Sequence, residues 1–308
     1  MYSRAYKASV TIPPLLWVLV FLLVPYSLLF CYSFWSVNSS QVIIHNWNFG
    51  NYVELLRQPM YVTVLFRSMR IAASVTLLSL LLGYPVAYYL SFHASKHRDL
   101  LYQLVIIPLW TSYLVRGYAW KTILGTDGVL NGVLNFLHIT NALLFLQGHL
   151  NAQFASHAWM HNWQVSFVPL SFLLYSPFAV VLMLTHIYTP FAFLPIYASL
   201  EHIPRNLIEA SHDLGASPWK TFRRVVLPLS LPGVVAGATF AFVLTLGDFL
   251  APLLVGGPSG IMISNIVASE FGSAYNWPLG AAISLCMLML VVGLLTFTEK
   301  LEKRLAFS

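Results

Sequence analysis

Three sets of residues in this chain carry chemistry that their neighbours in sequence leave unexplained. Asp248 follows Gly247 inside an apolar stretch, with no basic residue beside it. A carboxylate among apolar neighbours is costly unless it is paired or lines water. Two arrangements would satisfy it. It could lie on the path of a cationic ligand, with the aromatic faces of Trp110 and Tyr113 helping to hold positive charge, or form a structural salt bridge with Arg116. On the second reading Trp110, Tyr113, Tyr118 and Trp120 are ordinary aromatic residues of a membrane interface. The second set lies between Glu201 and Pro228. There Trp219, Phe222, Val225 and Val226 share one face of a helix while Lys220, Arg223 and Arg224 point elsewhere, the pattern of an amphipathic segment at a membrane surface. The third is His157 and His161, four residues apart, a spacing that suits a metal on one helix face. No carboxylate or Cys accompanies them and no His-Glu-x-x-His pattern occurs, so they read as residues of a solvated or interfacial segment, and no metal site is expected.

The elements that must position these residues follow from composition. Of 308 residues 58% are hydrophobic and only 8% charged, against about a quarter in soluble proteins. This is an integral membrane protein. The few charges sit in clusters between long uncharged runs, which excludes a disordered chain, a collagen-like fibre and a barrel of alternating polarity. The net charge of +6 reflects placement of basic residues around a membrane, and nucleic acid is not an expected partner. Cys31 and Cys286 both lie in apolar runs and read as buried thiols.

A helix crossing about 30 Å of hydrocarbon needs about 20 apolar residues. Six runs meet that length: 12–34, 71–92, 100–120, 172–198, 233–250 and 279–298. The first has Lys7 before it and no small-residue cleavage site after it, so it reads as a retained span. The expected fold is therefore an all-α membrane protein of six transmembrane helices in one domain, 1–308. With the N-terminus inside, eleven basic residues fall on the inner side and five on the outer, together the 16 Lys and Arg of the chain. That bias predicts both termini in the cytoplasm. The segment 125–171 is then a long outer loop carrying His138 and His149 as well as the histidine pair, and 201–228 is the long inner loop.

The inner loop reads as two short helices. Pro204 starts the first and Gly215 stops it with a left-handed backbone. Ser217 caps the second, Pro218 takes its first position, and Pro228 bends or ends it. Beyond it Gly233, Gly237 and Ala241 recur every four residues, a stripe that lets another helix approach, either within this chain or from a second subunit.

The loop's letters are Glu209-Ala210-Ser211, three residues, Gly215, nine residues, then Val225-Val226-Leu227-Pro228. This resembles the signature loop of the permease subunits of bacterial ATP-binding-cassette importers: Glu-Ala-Ala, three residues, Gly, nine residues, Ile-x-Leu-Pro. Ser211 stands for the third Ala and Val225 for Ile. The resemblance extends over about Asn51 to Thr298. The stretches 108–116 and 194–201, together with Gly256-Gly257-Pro258 and Ile263-Ser264-Asn265-Ile266, are similar to the first permease subunit of the spermidine/putrescine branch.

That resemblance implies a coupling loop between the fourth and fifth spans that docks on an ATPase through Glu209, Ala210, Ser211, Gly215, Trp219, Leu227 and Pro228. It implies a second permease subunit, an ATPase dimer and a periplasmic substrate-binding protein as partners in the bacterial inner membrane. Glu270, alone in an outer loop, would be solvated or face that binding protein. The chain has no Gly-rich phosphate loop with Lys and Ser or Thr, so no cofactor is expected on it, and ATP and Mg would sit on the partner ATPase. The expected function is import of a small cationic, polyamine-like nutrient. The alternatives are an opine, aminophosphonate or amino-acid-like substrate, an ion-coupled secondary transporter, or an intramembrane enzyme using the outer histidines.

Overall fold

The computed structural model describes residues 4–38, 42–94, 97–156 and 173–306, and it is helical almost throughout. The helices are α1 (Arg4–Ser33), α2 (Gly50–Arg57), α3 (Pro59–Phe92), α4 (Arg98–Ile106), α5 (Tyr113–Leu124), α6 (Val129–Phe136) and α7 (Ile139–Ser156). They continue as α8 (Pro177–Glu201), α9 (Arg205–Asp213), α10 (Pro218–Thr221), α11 (Leu227–Gly247), α12 (Ile263–Phe271) and α13 (Trp277–Ala306). A two-residue ribbon, β1 (Ser36–Val37) with β2 (Ile43–Ile44), is antiparallel with Ser36 opposite Ile44.

Among the described residues five helical stretches are long and apolar enough to cross a membrane: Thr11–Ser33, Pro59–Phe92, Pro177–Glu201, Pro218–Gly247 and Trp277–Lys300. The expected span 100–120 differs. It is built from α4, a 3-10 turn at Ile107–Trp110 and α5, with Thr111 extended between them. Pro108 and the Thr111-Ser112 pair interrupt the helix, where the sequence shows an apolar run interrupted by Arg116 near its far end. The outer segment 125–171, expected as a loop, contains α6 and α7. His138 turns the chain between them with φ 57°, and His149 stacks on Phe145 within α7. His157 and His161 lie outside the described residues.

The described residues form two compact units. One draws on Met1–Phe66 and Ile266–Thr296. In it the Asn51 amide donates to the carbonyls of Ser33 and Trp35, both at 2.8 Å, and Tyr52 donates to Ser33 Oγ, which ties α2 to the end of α1. The apolar window of α1 itself is 0% buried.

The other unit draws on Arg67–Asn265 and Phe297–Ser308, and α8 is its centre. Ser176 caps α8 by accepting from the Ala179 N–H, and Pro177 fills the first position, where its missing N–H costs nothing. Met183, Leu184 and Ile187 pack with Ile71, Val75, Ala251 and Val255, while Phe193, Ile196 and Leu200 pack with Ala87, Leu90 and Val226. The stripe on α11 packs against α8. A Cβ on Gly233 would meet the Pro195 carbonyl at 2.5 Å, and one on Gly237 the Ala192 carbonyl at 2.5 Å. As residue numbers rise along α11 they fall along α8, so the two helices are antiparallel and touch backbone to backbone.

Candidate functional site

The helix pair after α8 is held by local chemistry. Gly215 takes φ +75°, its N–H bonds the His212 carbonyl at 2.8 Å, and the Ala216 N–H bonds the Ser211 carbonyl at 3.0 Å. These two bonds close a Schellman turn that satisfies the last carbonyls of α9. Pro204 and Ser217 occupy the positions just before α9 and α10, although the Ser217 hydroxyl makes no capping bond. Ser211 is buried, and its hydroxyl lies 2.8 Å from both the Ile208 carbonyl and Thr221 Oγ1. Thr221 is therefore a residue of this site that sequence reasoning missed. A β-branched polar residue ten positions after Ser211, behind a turn, was the available signal.

Of the bend or end expected at Pro228, the helix shows no end. Phe222–Val226 forms a π turn in which the Leu227 N–H reaches five residues back to the Phe222 carbonyl, and Pro228 follows in the first turn of α11. Proline has no N–H, and in an α-helix its ring strikes the carbonyl four residues earlier, so the wider turn accommodates it without breaking the rod. Glu209 and Ala210 are exposed on α9, and Leu227 is half-buried at the start of α11. Glu209 shares a cavity of about 330 Å³ with Arg205, His212, His93 and Phe92. The amphipathic face divides in two. Val226 and part of Phe222 are buried, whereas Trp219 stacks on Phe222 with centroids 5.5 Å apart yet stays 68% exposed. Leu214, beside Gly215, is 88% exposed. The pair thus presents a bare Leu and Trp on a rigid turn.

Asp248 lies just past the other end of α11 and is buried. Its Oδ2 accepts from the hydroxyls of Tyr113 at 2.5 Å and Tyr188 at 2.6 Å, and its Oδ1 accepts from the Ala251 N–H at 2.9 Å. Three donors from three segments fill most of the carboxylate's acceptor positions. Arg116 is not among them. Its Nε and Nη1 are buried without a hydrogen-bond partner among the described residues, its guanidinium carbon lies 5.9 Å from the Tyr113 ring centroid, and the ion pair formed among those residues is Arg98 with Glu201. Tyr113 is thus brought to Asp248 as expected, and Trp110 is not. Trp110 is 88% exposed on its 3-10 turn and makes no hydrogen bond to the carboxylate among the described residues.

The motif after Asp248 wraps its backbone. Ser264 donates to the Asp248 carbonyl at 2.6 Å, Asn265 donates to the Phe249 carbonyl at 2.7 Å, and Ser68 accepts from the Ile263 N–H at 2.8 Å. Gly257 has φ +57°, and a Cβ there would meet Tyr175 at 2.7 Å, so both backbone angle and space demand glycine. Among the described residues no group of three or more His, Cys, Asp and Glu is placed to hold a metal ion.

Set against known proteins, residues 79–306 match the family described as binding-protein-dependent transport system inner membrane component. The chain belongs to that family. The permease is 39% identical over 250 residues to the inner membrane ABC transporter permease protein YdcU of Escherichia coli K12, covering 81% of this chain and 74% of the relative. It is 33% identical over 279 residues to the spermidine/putrescine transport system permease protein PotB of the same strain, covering 91% of each. The permease also overlays a solved bacterial ABC transporter involved in import of the acidic polysaccharide alginate, with TM-score 0.65 at 19% identity over 98% of this chain and 99% of that one. The methionine ABC transporter MetNI in an inward-facing state gives TM-score 0.55 at 17% identity over 80% and 98%. At these identities the likeness is one of fold. The permease is a multi-pass inner-membrane component of a transport system, and the signature loop, read from letters and spacing, lies within the matched residues.

Proposed function

We propose that this permease is the first-type membrane subunit of an ATP-driven importer for a polyamine-like cation, and that α9 and α10 dock on a separate ATPase. The observation that carries the coupling role is the pairing of a fixed turn with bare apolar side chains. The Schellman turn at Gly215 and the buried Ser211 hold Leu214 and Trp219 in the open, where a partner's groove would cover them. The substrate class follows from the identity with the two spermidine/putrescine permeases of Escherichia coli and Haemophilus influenzae, at 33% and 32% over nine-tenths of the chain. α4, the 3-10 turn and α5 together make the third of six crossings, both termini face the cytoplasm, and a second permease, an ATPase dimer and a periplasmic binding protein complete the assembly.

Asp248 serves in this reading as an anchor. A carboxylate already holding two tyrosine hydroxyls and a backbone amide has little capacity left for an ammonium group, so its work is to pin α5, α8 and the end of α11 together. The test is purification of the tagged chain from its native membrane, followed by reconstitution with the proteins that accompany it. The expected result is a complex with an ATPase that takes up labelled spermidine only with ATP and binding protein. Active transport by this chain without an ATPase would reject the reading, and ATP-dependent uptake of amino acids in place of spermidine would correct the substrate.

A further inference from the structure

We infer that Thr221 is a positioning residue for energy coupling: its hydroxyl clasps α9 to α10, so that the docking pair and α11 move as one body. The inference rests on the coupling reading of this loop. Ser211 Oγ lies 2.8 Å from both the Ile208 carbonyl and Thr221 Oγ1. A hydroxyl has one proton, and a carbonyl can only accept. Ser211 therefore donates to Ile208, and Thr221 must donate to Ser211. The direction of the pair is fixed without any other partner.

Position gives this bond its consequence. Along the chain α9 and α10 are joined through the turn 214–217, whose two Schellman bonds fix its backbone without tying the side chains of the two helices together. The Ser211–Thr221 bond supplies that side-chain tie on the inner side of the turn. Ser211 is 9% exposed and Thr221 4%, so water competes poorly for the bond. Among the described residues it is the side-chain hydrogen bond that joins α9 to the helix after it. Thr221 is also the last residue of α10, directly before the π turn through which the rod continues into α11. A push on Leu214 or Trp219 then reaches the membrane without being absorbed at Gly215. In the family pattern the Ser211 position is an alanine, which offers no acceptor, so the clasp is a feature of this chain and not of the pattern.

The test uses the assembled transporter with its partners in proteoliposomes and reads labelled spermidine taken up per ATP hydrolysed. Thr221→Val keeps the shape and removes the donor. It should lower that ratio about fivefold, the factor that one net hydrogen bond carries, while Thr221→Ser should restore it. Ser211→Ala combined with Thr221→Val leaves no orphaned hydroxyl and should assemble normally with the same low ratio. A second measurement does not depend on the substrate. Spin labels at Asn206 and Leu229, with Cys31 and Cys286 changed to Ser, should give a narrow distance distribution in the parent and a clearly broader one in Thr221→Val. An unchanged ratio and an unchanged distribution in Thr221→Val would overturn the clasp. Failure of the docking reading looks different: Leu214→Ala with Trp219→Ala would then retain the ATPase fully, which the clasp variants do not address.

Discussion

At the scale of single residues the decisive side chain is Asp248, whose three donors come from positions 113, 188 and 251. Tyr188→Phe removes one hydrogen bond to a buried charge, which is worth about 1.5–3 kcal/mol. A matching drop in thermal stability of the purified protein is expected. Asp248→Asn should cost a similar amount, because its amide nitrogen cannot accept from the Ala251 N–H or the tyrosines. Adding Arg116→Gln should bring no rescue, since Arg116 forms no ion pair with the carboxylate. Recovery of stability in that double variant would restore the salt-bridge reading. Glu270 makes a second residue-scale prediction. Burial, and after it the charge of Glu54, hold the Glu270 carboxyl above its ordinary range. A carboxyl raised in the folded state favours folding in acid, and that contribution is lost as pH rises through the folded value. Glu270→Gln should therefore stabilise the protein at neutral pH, with the gain vanishing below the normal carboxylate range; thermal melts across pH read this directly. Of these residues the sequence marks Asp248 as costly, but not its partners. Tyr188 lies 60 positions away, and only the packing of α8 against α11 brings it close.

At the scale of elements, local chemistry was legible and long-range continuity was not. The helix pair α9 and α10 could be read because Gly215 and Pro218 act within their own turns, although the Ser217 hydroxyl makes no capping bond. The π turn at Phe222–Val226 could not, since Pro228 announces a disturbance without saying whether the helix breaks or widens. Hydropathy likewise registers 100–120 as one run and is blind to the pieces made by Pro108 and Thr111-Ser112. α6 is marked in the sequence by Val129, Leu130, Val133 and Leu134, which recur at helical spacing, but the runs of α6 and α7 are too short and too interrupted by polar residues to register as spans. The small-residue stripe had two readings, and the geometry selects contact within the chain. Gly237→Val should accordingly abolish accumulation of the permease itself, because its side chain would strike the Ala192 carbonyl. A variant that accumulates normally but loses a second subunit would return the stripe to an intermolecular role.

At the scale of the whole molecule, burial is distributed unevenly along the five long apolar stretches. The most apolar window of Pro177–Glu201 is 61% buried within the chain, against 0% for Thr11–Ser33. The first is held by protein on most sides, whereas the second has only what surrounds the chain. On the proposed topology, a tag at either terminus should resist protease in spheroplasts and be cleaved once the inner membrane is opened. Cleavage of one terminus before opening would require an odd number of crossings. The π turn has a further consequence in the language of insertions and deletions. One residue more per turn is, in effect, a one-residue insertion in an α-helical rod. Removing Arg224 would close the wide turn to an α-helical one, leave the faces on either side in phase, and bring the Pro228 ring against the carbonyl four residues before it. Each half would keep its own contacts, and the strain would fall at Pro228. Such a deletion should leave the permease in the membrane with a lower melting temperature, which a thermal melt of the purified protein reads.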